Sequence, residues 1–116
     1  MMLLASRSEI ELLVNAFYDR VKEDELLAPV FAHVDWVTHL PVMYNFWSSL
    51  LLGDGSYQGS PFQKHIHLPI TAKHFDRWLA LFIKTVDANF SGERAEEVKS
   101  RAQSIAGIFQ FKMGLK

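Results

Sequence analysis

Thr71-Ala72-Lys73-His74-Phe75-Asp76-Arg77-Trp78-Leu79-Ala80-Leu81-Phe82-Ile83-Lys84-Thr85-Val86-Asp87-Ala88-Asn89-Phe90 decides the fold class. Phe75, Trp78, Leu79, Phe82, Val86 and Phe90 recur at the three- and four-residue steps that place them on one face of an α-helix. Thr71 stands where an N-cap is wanted, and Ile70 and Phe75 are spaced as a hydrophobic staple across it. The face is made of large flat side chains, so whatever it packs against must accept aromatic surface.

The rest of the chain repeats that period. Ser8 and Glu11 are spaced as a capping box, ahead of Ile10, Leu13, Val14, Phe17, Tyr18 and Val21 on one helical face. Pro29 closes this region, and Phe31 falls in a turn beyond it. Asp35 is positioned to cap a second helix, in which His39, Met43, Phe46, Trp47 and Leu50 share a face. Pro41 lacks a backbone donor and is expected in or near its first turn. Gly53 ends this helix, and the breaker-rich run from Gly53 to Pro61 is a loop. Phe62 to Leu68 has room for a short helical piece before Pro69. Ser91 is expected to cap a final helix lined by Ala95, Val98, Ala102, Ile105, Phe109 and Met113. No β alternation, internal repeat or low-complexity tract appears. The reading is all-α, with four main helices and a short fifth piece.

Bulk properties exclude several classes. With 116 residues the chain is read as one domain. Its net charge is −1 with scattered basic residues, which disfavours nucleic acid, since phosphate neutralisation needs a basic patch. No apolar stretch is long enough to span a bilayer, and the apolar start is too short for a signal peptide. Without cysteine there is no disulfide, thiolate metal site or Cys nucleophile, which fits a cytoplasmic protein.

The histidines are His33, His39, His65, His67 and His74. His65 and His67 are two apart, about 200° around a helix, and do not converge on one ion there. No carboxylate lies a helical turn from either to complete a zinc-like set. A single histidine reads differently if a large flat cofactor fills the core, because haem iron in globins is held by one proximal histidine. Phe17, Phe31, Phe46, Trp47, Phe75, Trp78 and Phe82 all fall on inferred inner faces, and Tyr18, His39 and Trp78 project inward with polar groups. From spacing alone an inward histidine or tyrosine is more often a satisfied core residue. Periodicity reaches an aromatic-rich helical core and no further.

The order of motifs carries more. Phe17-Tyr18, Pro29-Val30-Phe31, Trp36-Val37-Thr38-His39, Asn45-Phe46-Trp47, Lys64-His65-Ile66-His67-Leu68-Pro69 and His74 to Phe82 together resemble the truncated haemoglobins, most closely their third group. The resemblance runs from about Ile10 to Phe109. It implies a globin-like two-over-two helical sandwich around haem b, with the usual N-terminal helix very short or missing. It implies His65 as the proximal iron ligand and Tyr18, His39 and Trp78 as the distal pocket, His39 distal or gating. Phe31, Met43, Phe46, Trp78 and Phe82 are then expected against the cofactor, with Lys64 a partner for a propionate. His67 has no role in that pattern and is expected on the surface. The implied function is reversible binding of O2, and of CO and NO, at a pentacoordinate iron. Alternatives on the same site are a peroxidase or an NO dioxygenase, which would need a separate reductase. A haem-free globin-fold regulatory module is the rival from another class, disfavoured by the joint presence of His65, Tyr18, His39 and Trp78.

Overall fold

The computed structural model describes residues 2–57 and 70–115. In chain order these form β1 (Met2–Leu3), α1 (Arg7–Glu23), α2 (Trp36–Leu52), α3 (Ala72–Asn89), β2 (Phe90–Ser91) and α4 (Glu93–Lys112). The short piece expected between Phe62 and Leu68, with Lys64, His65, His67 and Pro69, lies outside the described residues. Helix α1 packs against α2, α3 packs against α4, and the two pairs meet where α1 crosses α3.

Helices α1, α3 and α4 bury the face their period marks, whereas on α2 Met43 and Trp47 are buried, His39, Phe46 and Leu50 are half-buried, and Ser48 and Leu51 are buried beside them. On α1, Ile10, Leu13, Val14, Phe17, Tyr18 and Val21 are all buried. On α3, Phe75, Phe82 and Val86 are buried and Trp78 and Leu79 half-buried. On α4, Ala95, Val98, Ala102 and Phe109 are buried, joined by Ala106 and Gln110. Phe17 sits at the crossing, edge-on to both Phe82 (5.1 Å between ring centres) and Trp78 (5.6 Å).

The helix ends show where local patterns compete. Thr71, Asp35 and Gly53 stand at the expected ends, and Gly53 takes the left-handed conformation (φ 67°) that a C-terminal stop requires. The first start lies two residues earlier than Ser8. Ser6 is the N-cap, its hydroxyl donating to Glu9 (2.8 Å), while Glu11 accepts from Arg7 (3.1 Å). The reason lies just upstream: Leu4 is buried and Met2–Leu3 pairs in parallel with Phe90–Ser91, so the chain arrives at α1 already anchored. That two-residue pairing escapes any test for alternation. It also takes Ser91 out of its expected capping role. Gly92 stands at the N-cap of α4 with φ 96°, and a Cβ there would meet the Leu3 side chain at 3.1 Å. Pro41 lies in the second turn of α2, not the first. The donor it lacks would have served the carbonyl of Val37, an exposed residue whose carbonyl water can reach.

Two carboxylates tie the helices to the loops. Asp54 accepts hydrogen bonds from the Ser48 hydroxyl and from the hydroxyl and N–H of Ser56 (2.7 and 3.0 Å), which hold its pKa down at about 2. Asp24, at the end of α1, is buried. Its Oδ1 accepts from Arg77 of α3, and its Oδ2 from the N–H groups of Leu26 and Leu27. The Arg77 hydrogen bond is the main cause of its depressed pKa.

A carboxylate whose pKa is lowered by folding stabilises the fold above its unfolded value, about pH 4, and that contribution drains as pH falls through the folded value. Asp24→Asn is therefore expected to cost about 1.5–3 kcal/mol at neutral pH, the range for hydrogen bonds to a charged group. The gap to the native protein should stay constant down to about pH 5 and narrow below pH 4. Urea unfolding at several pH values checks this, and a gap independent of pH contradicts it.

Candidate functional site

The two helix pairs leave a cleft between them of about 750 Å³, counted to its open mouth. Helix α1 contributes Tyr18, the turn after it Leu27 and Phe31, and α2 contributes Met43, Phe46 and Trp47. Ile70, His74, Phe75 and Trp78 come from α3 and its approach, and Ile105, Ala106 and Phe109 from α4. The walls are aromatic and aliphatic. Among the described residues, lining side chains with a polar atom are few: the Tyr18 phenol, the indoles of Trp47 and Trp78, and the His74 imidazole.

Tyr18 is placed by helix period and fixed by its neighbours. Its ring lies 4.9 Å from Phe17, 5.0 Å from Trp36 and 6.2 Å from Phe31, centre to centre. Burial pushes its phenol pKa well above the ordinary value, so it stays a neutral hydroxyl able to donate. Trp78 is stacked on Phe82 (5.5 Å, 17°) and meets the edge of Phe17. Phe46 stands edge-on to Trp47 and Tyr57.

Of the residues singled out in the sequence, Tyr18, Phe31, Met43, Phe46 and Trp78 line the cleft together. Phe82 is not among the lining residues. It is fully buried behind the wall, stacked between Trp47 (5.0 Å, 25°) and Trp78, so it supports two rings that face the cavity. His39 is also absent from the described lining. Its ring packs against Tyr18 (5.9 Å) and Trp36 (5.7 Å). His65 and Lys64 lie outside the described residues.

Several lining residues carry no proposed role in the sequence reading. Ile105 and Phe109 stand on a face the period marks as inward, so the signal was present, while Trp47 and Phe75 are among the inward aromatics the sequence already offers to a flat cofactor. Leu27 and His74 had none. Leu27 lies in a turn, where periodicity says nothing, and His74 reaches the cleft from a capping position. Its Nδ1 accepts the N–H of Thr71 (3.1 Å), the place usually taken by Glu or Gln in a capping box. Among the described residues no group of His, Cys, Asp and Glu is arranged to hold a metal ion, and no helix is long and apolar enough to cross a membrane.

Among the described residues, two pairs of helices enclose an aromatic cleft, as expected of a small globin of the two-over-two kind, and comparison with known proteins agrees. The profile of the bacterial-like globin family matches residues 4–111. Group 3 truncated hemoglobin ctb of Campylobacter jejuni is 34% identical over 112 residues, spanning 90% of this chain and 88% of that protein. Group 1 truncated hemoglobin GlbN of Nostoc commune is 34% identical over 74 residues, 63% of each chain. The crystal structure of the group III truncated hemoglobin from Campylobacter jejuni superposes with a TM-score of 0.87 at 33% identity, covering 97% of this chain and 95% of that one. The chain belongs to the truncated haemoglobins, a haem-binding globin family, and to their third group.

Proposed function

We propose that the cleft holds haem b and that the protein reversibly binds O2, and CO and NO, beside Tyr18 and Trp78. The observation that carries this reading is the composition of the cleft: aromatic and aliphatic walls contributed by all four described helices, with a neutral phenol and an indole as hydrogen-bond donors. These walls fit a flat apolar ring system, since rings such as Phe31, Phe46 and Phe75 gain both burial and stacking against one. His65 is the proposed axial ligand and Lys64 the proposed propionate partner. When bound, the haem supplies an iron that takes a diatomic gas.

The chain's own residues then do three things. The aromatic walls exclude water. The Tyr18 hydroxyl and the Trp78 indole N–H donate to a ligand carrying partial negative charge. Phe82, Trp47 and Phe17 hold those donors in place. The chain is proposed to act in the cytoplasm, in keeping with its lack of cysteine. Turnover as an NO dioxygenase or peroxidase would draw electrons from a separate reductase.

The direct test is haem uptake. The purified protein, titrated with haemin, is expected to bind one equivalent and show a Soret band. After reduction the spectrum should shift with O2 and CO. A protein that takes up no haemin contradicts the reading and favours a haem-free regulatory module.

A further inference from the structure

We propose that Asp24 and Arg77 are positioning residues for the ligand pocket, a single buried carboxylate that sets where Leu27, Phe31 and Trp78 stand in the cleft. The proposal rests on the haem reading above and adds to it two residues that touch neither cofactor nor gas.

Both oxygens of Asp24 are committed. Oδ1 accepts from Nε (2.7 Å) and Nη2 (2.6 Å) of Arg77, and Oδ2 from the N–H groups of Leu26 (3.1 Å) and Leu27 (3.0 Å). The Asp24 side chain is 4% exposed, so these are charge-assisted bonds shielded from water on the carboxylate side. The backbone continues the arrangement: Ala28 N–H donates to the Asp24 carbonyl (2.8 Å), and Phe31 N–H to the Leu27 carbonyl (3.3 Å). One side of the carboxylate thus shapes the turn that carries Leu27 and Phe31 into the cleft. The other side ties down the residue directly before Trp78.

Such a tether matters because of what else joins α1 to α3. Around Trp78 the contacts are between rings, Phe17 edge-on and Phe82 stacked. Apolar packing fills space but is non-directional, and tolerates small slides along the helix axis. Two guanidinium donors on one oxygen do not. A hydrogen bond weakens steeply outside a few tenths of an ångström and a few tens of degrees. The pair therefore fixes the register of α3 on α1, and with it the depth of the Trp78 indole in the pocket.

Arg77→Gln decides the matter, because its side chain is half exposed and the variant is expected to fold. Asp24→Asn and the double variant complete a cycle. Lys99→Gln breaks an ion pair with Asp87 and Glu96 away from the cleft and serves as control. In haem-loaded protein, Arg77→Gln and Asp24→Asn are expected to broaden or split the CO stretching band and to speed O2 release at least threefold. The double variant should be no worse than Asp24→Asn alone. Arg77→Lys, which keeps the charge and loses the fork, should fall in between. In haem-free protein the same substitutions should weaken the near-ultraviolet circular dichroism of the tryptophans, while Lys99→Gln leaves every readout native. The inference is overturned if Arg77→Gln and Asp24→Asn keep the native CO band, release O2 within twofold of the native rate, and differ from Lys99→Gln only in stability. Failure of the native protein to take up haem overturns the haem reading instead; the circular dichroism of the haem-free variants then still tests the pair.

Discussion

His65→Ala is expected to strip the protein of most of its haem, or to leave a haem that added imidazole restores. An axial nitrogen is the one strong bond between a globin and its cofactor. Without it the ring is held only by apolar contact and propionate partners. Two controls sharpen the test. His67→Ala should leave the spectrum nearly unchanged, since that residue has no counterpart role in the family pattern. His74→Ala is the more searching one, because His74 is the imidazole that the described structure places at the cleft. Its Nδ1 is occupied by the N–H of Thr71. Its loss is expected to cost about 1 kcal/mol of helix capping and little haem. Haem transfer to an apoglobin acceptor measures all three. Bleaching by His74→Ala or His67→Ala, with a native spectrum in His65→Ala, would falsify the proximal assignment.

Trp78→Phe and Tyr18→Phe carry the second largest effect. Each is expected to speed O2 release by several-fold or more, and together by roughly one to two decades, at about 1.4 kcal/mol per tenfold. Each removes one donor to a polarised ligand, about 0.5–1.5 kcal/mol and more where the acceptor is charged. Both donors face one cavity, so the double variant should be non-additive. The release rate in native protein should also be flat from pH 7 to about 10 as far as Tyr18 is concerned. Burial raises its pKa, so the donor keeps its proton through the range where an exposed phenol begins to lose it. His39→Leu, beside Tyr18 and Trp36, is expected to act on ligand access rather than release. Stopped-flow displacement of O2 by CO measures these rates. Native rates in both single variants would remove Tyr18 and Trp78 from the ligand's surroundings.

The all-helical class, the faces each helix buries and most helix ends were legible in the residues alone, because they depend on neighbours within about four positions. A 3.6-residue period marks the inward side of α1, α3 and α4 whatever lies opposite. Thr71, Asp35 and Gly53 mark ends through local backbone chemistry, and Gly53 does so because φ 67° suits a residue without a Cβ. Tyr18, Met43, Phe46 and Trp78 reach one cleft because each stands on such a face, and Phe31 reaches it from the turn between α1 and α2. Their roles came from the order of motifs, not from period.

Tertiary structure decided the rest, since a helical period tells which face is buried and nothing about what it is buried against. Phe82 and Trp78 share a stripe on α3, yet the crossing of α1 puts Phe82 behind the wall and leaves Trp78 in it. His39 shares a stripe with Met43, and only the fold shows that its ring packs against Trp36 and Tyr18. Met2–Leu3 meets Phe90–Ser91 across almost the whole chain, which moves the start of α1 to Ser6 and that of α4 to Gly92. Asp24 and Arg77 are 53 residues apart, and each alone reads as an ordinary surface charge. Only the crossing of α1 and α3 joins the buried carboxylate of Asp24 to the half-exposed Arg77, because a long-range hydrogen bond leaves no trace in the period of either helix.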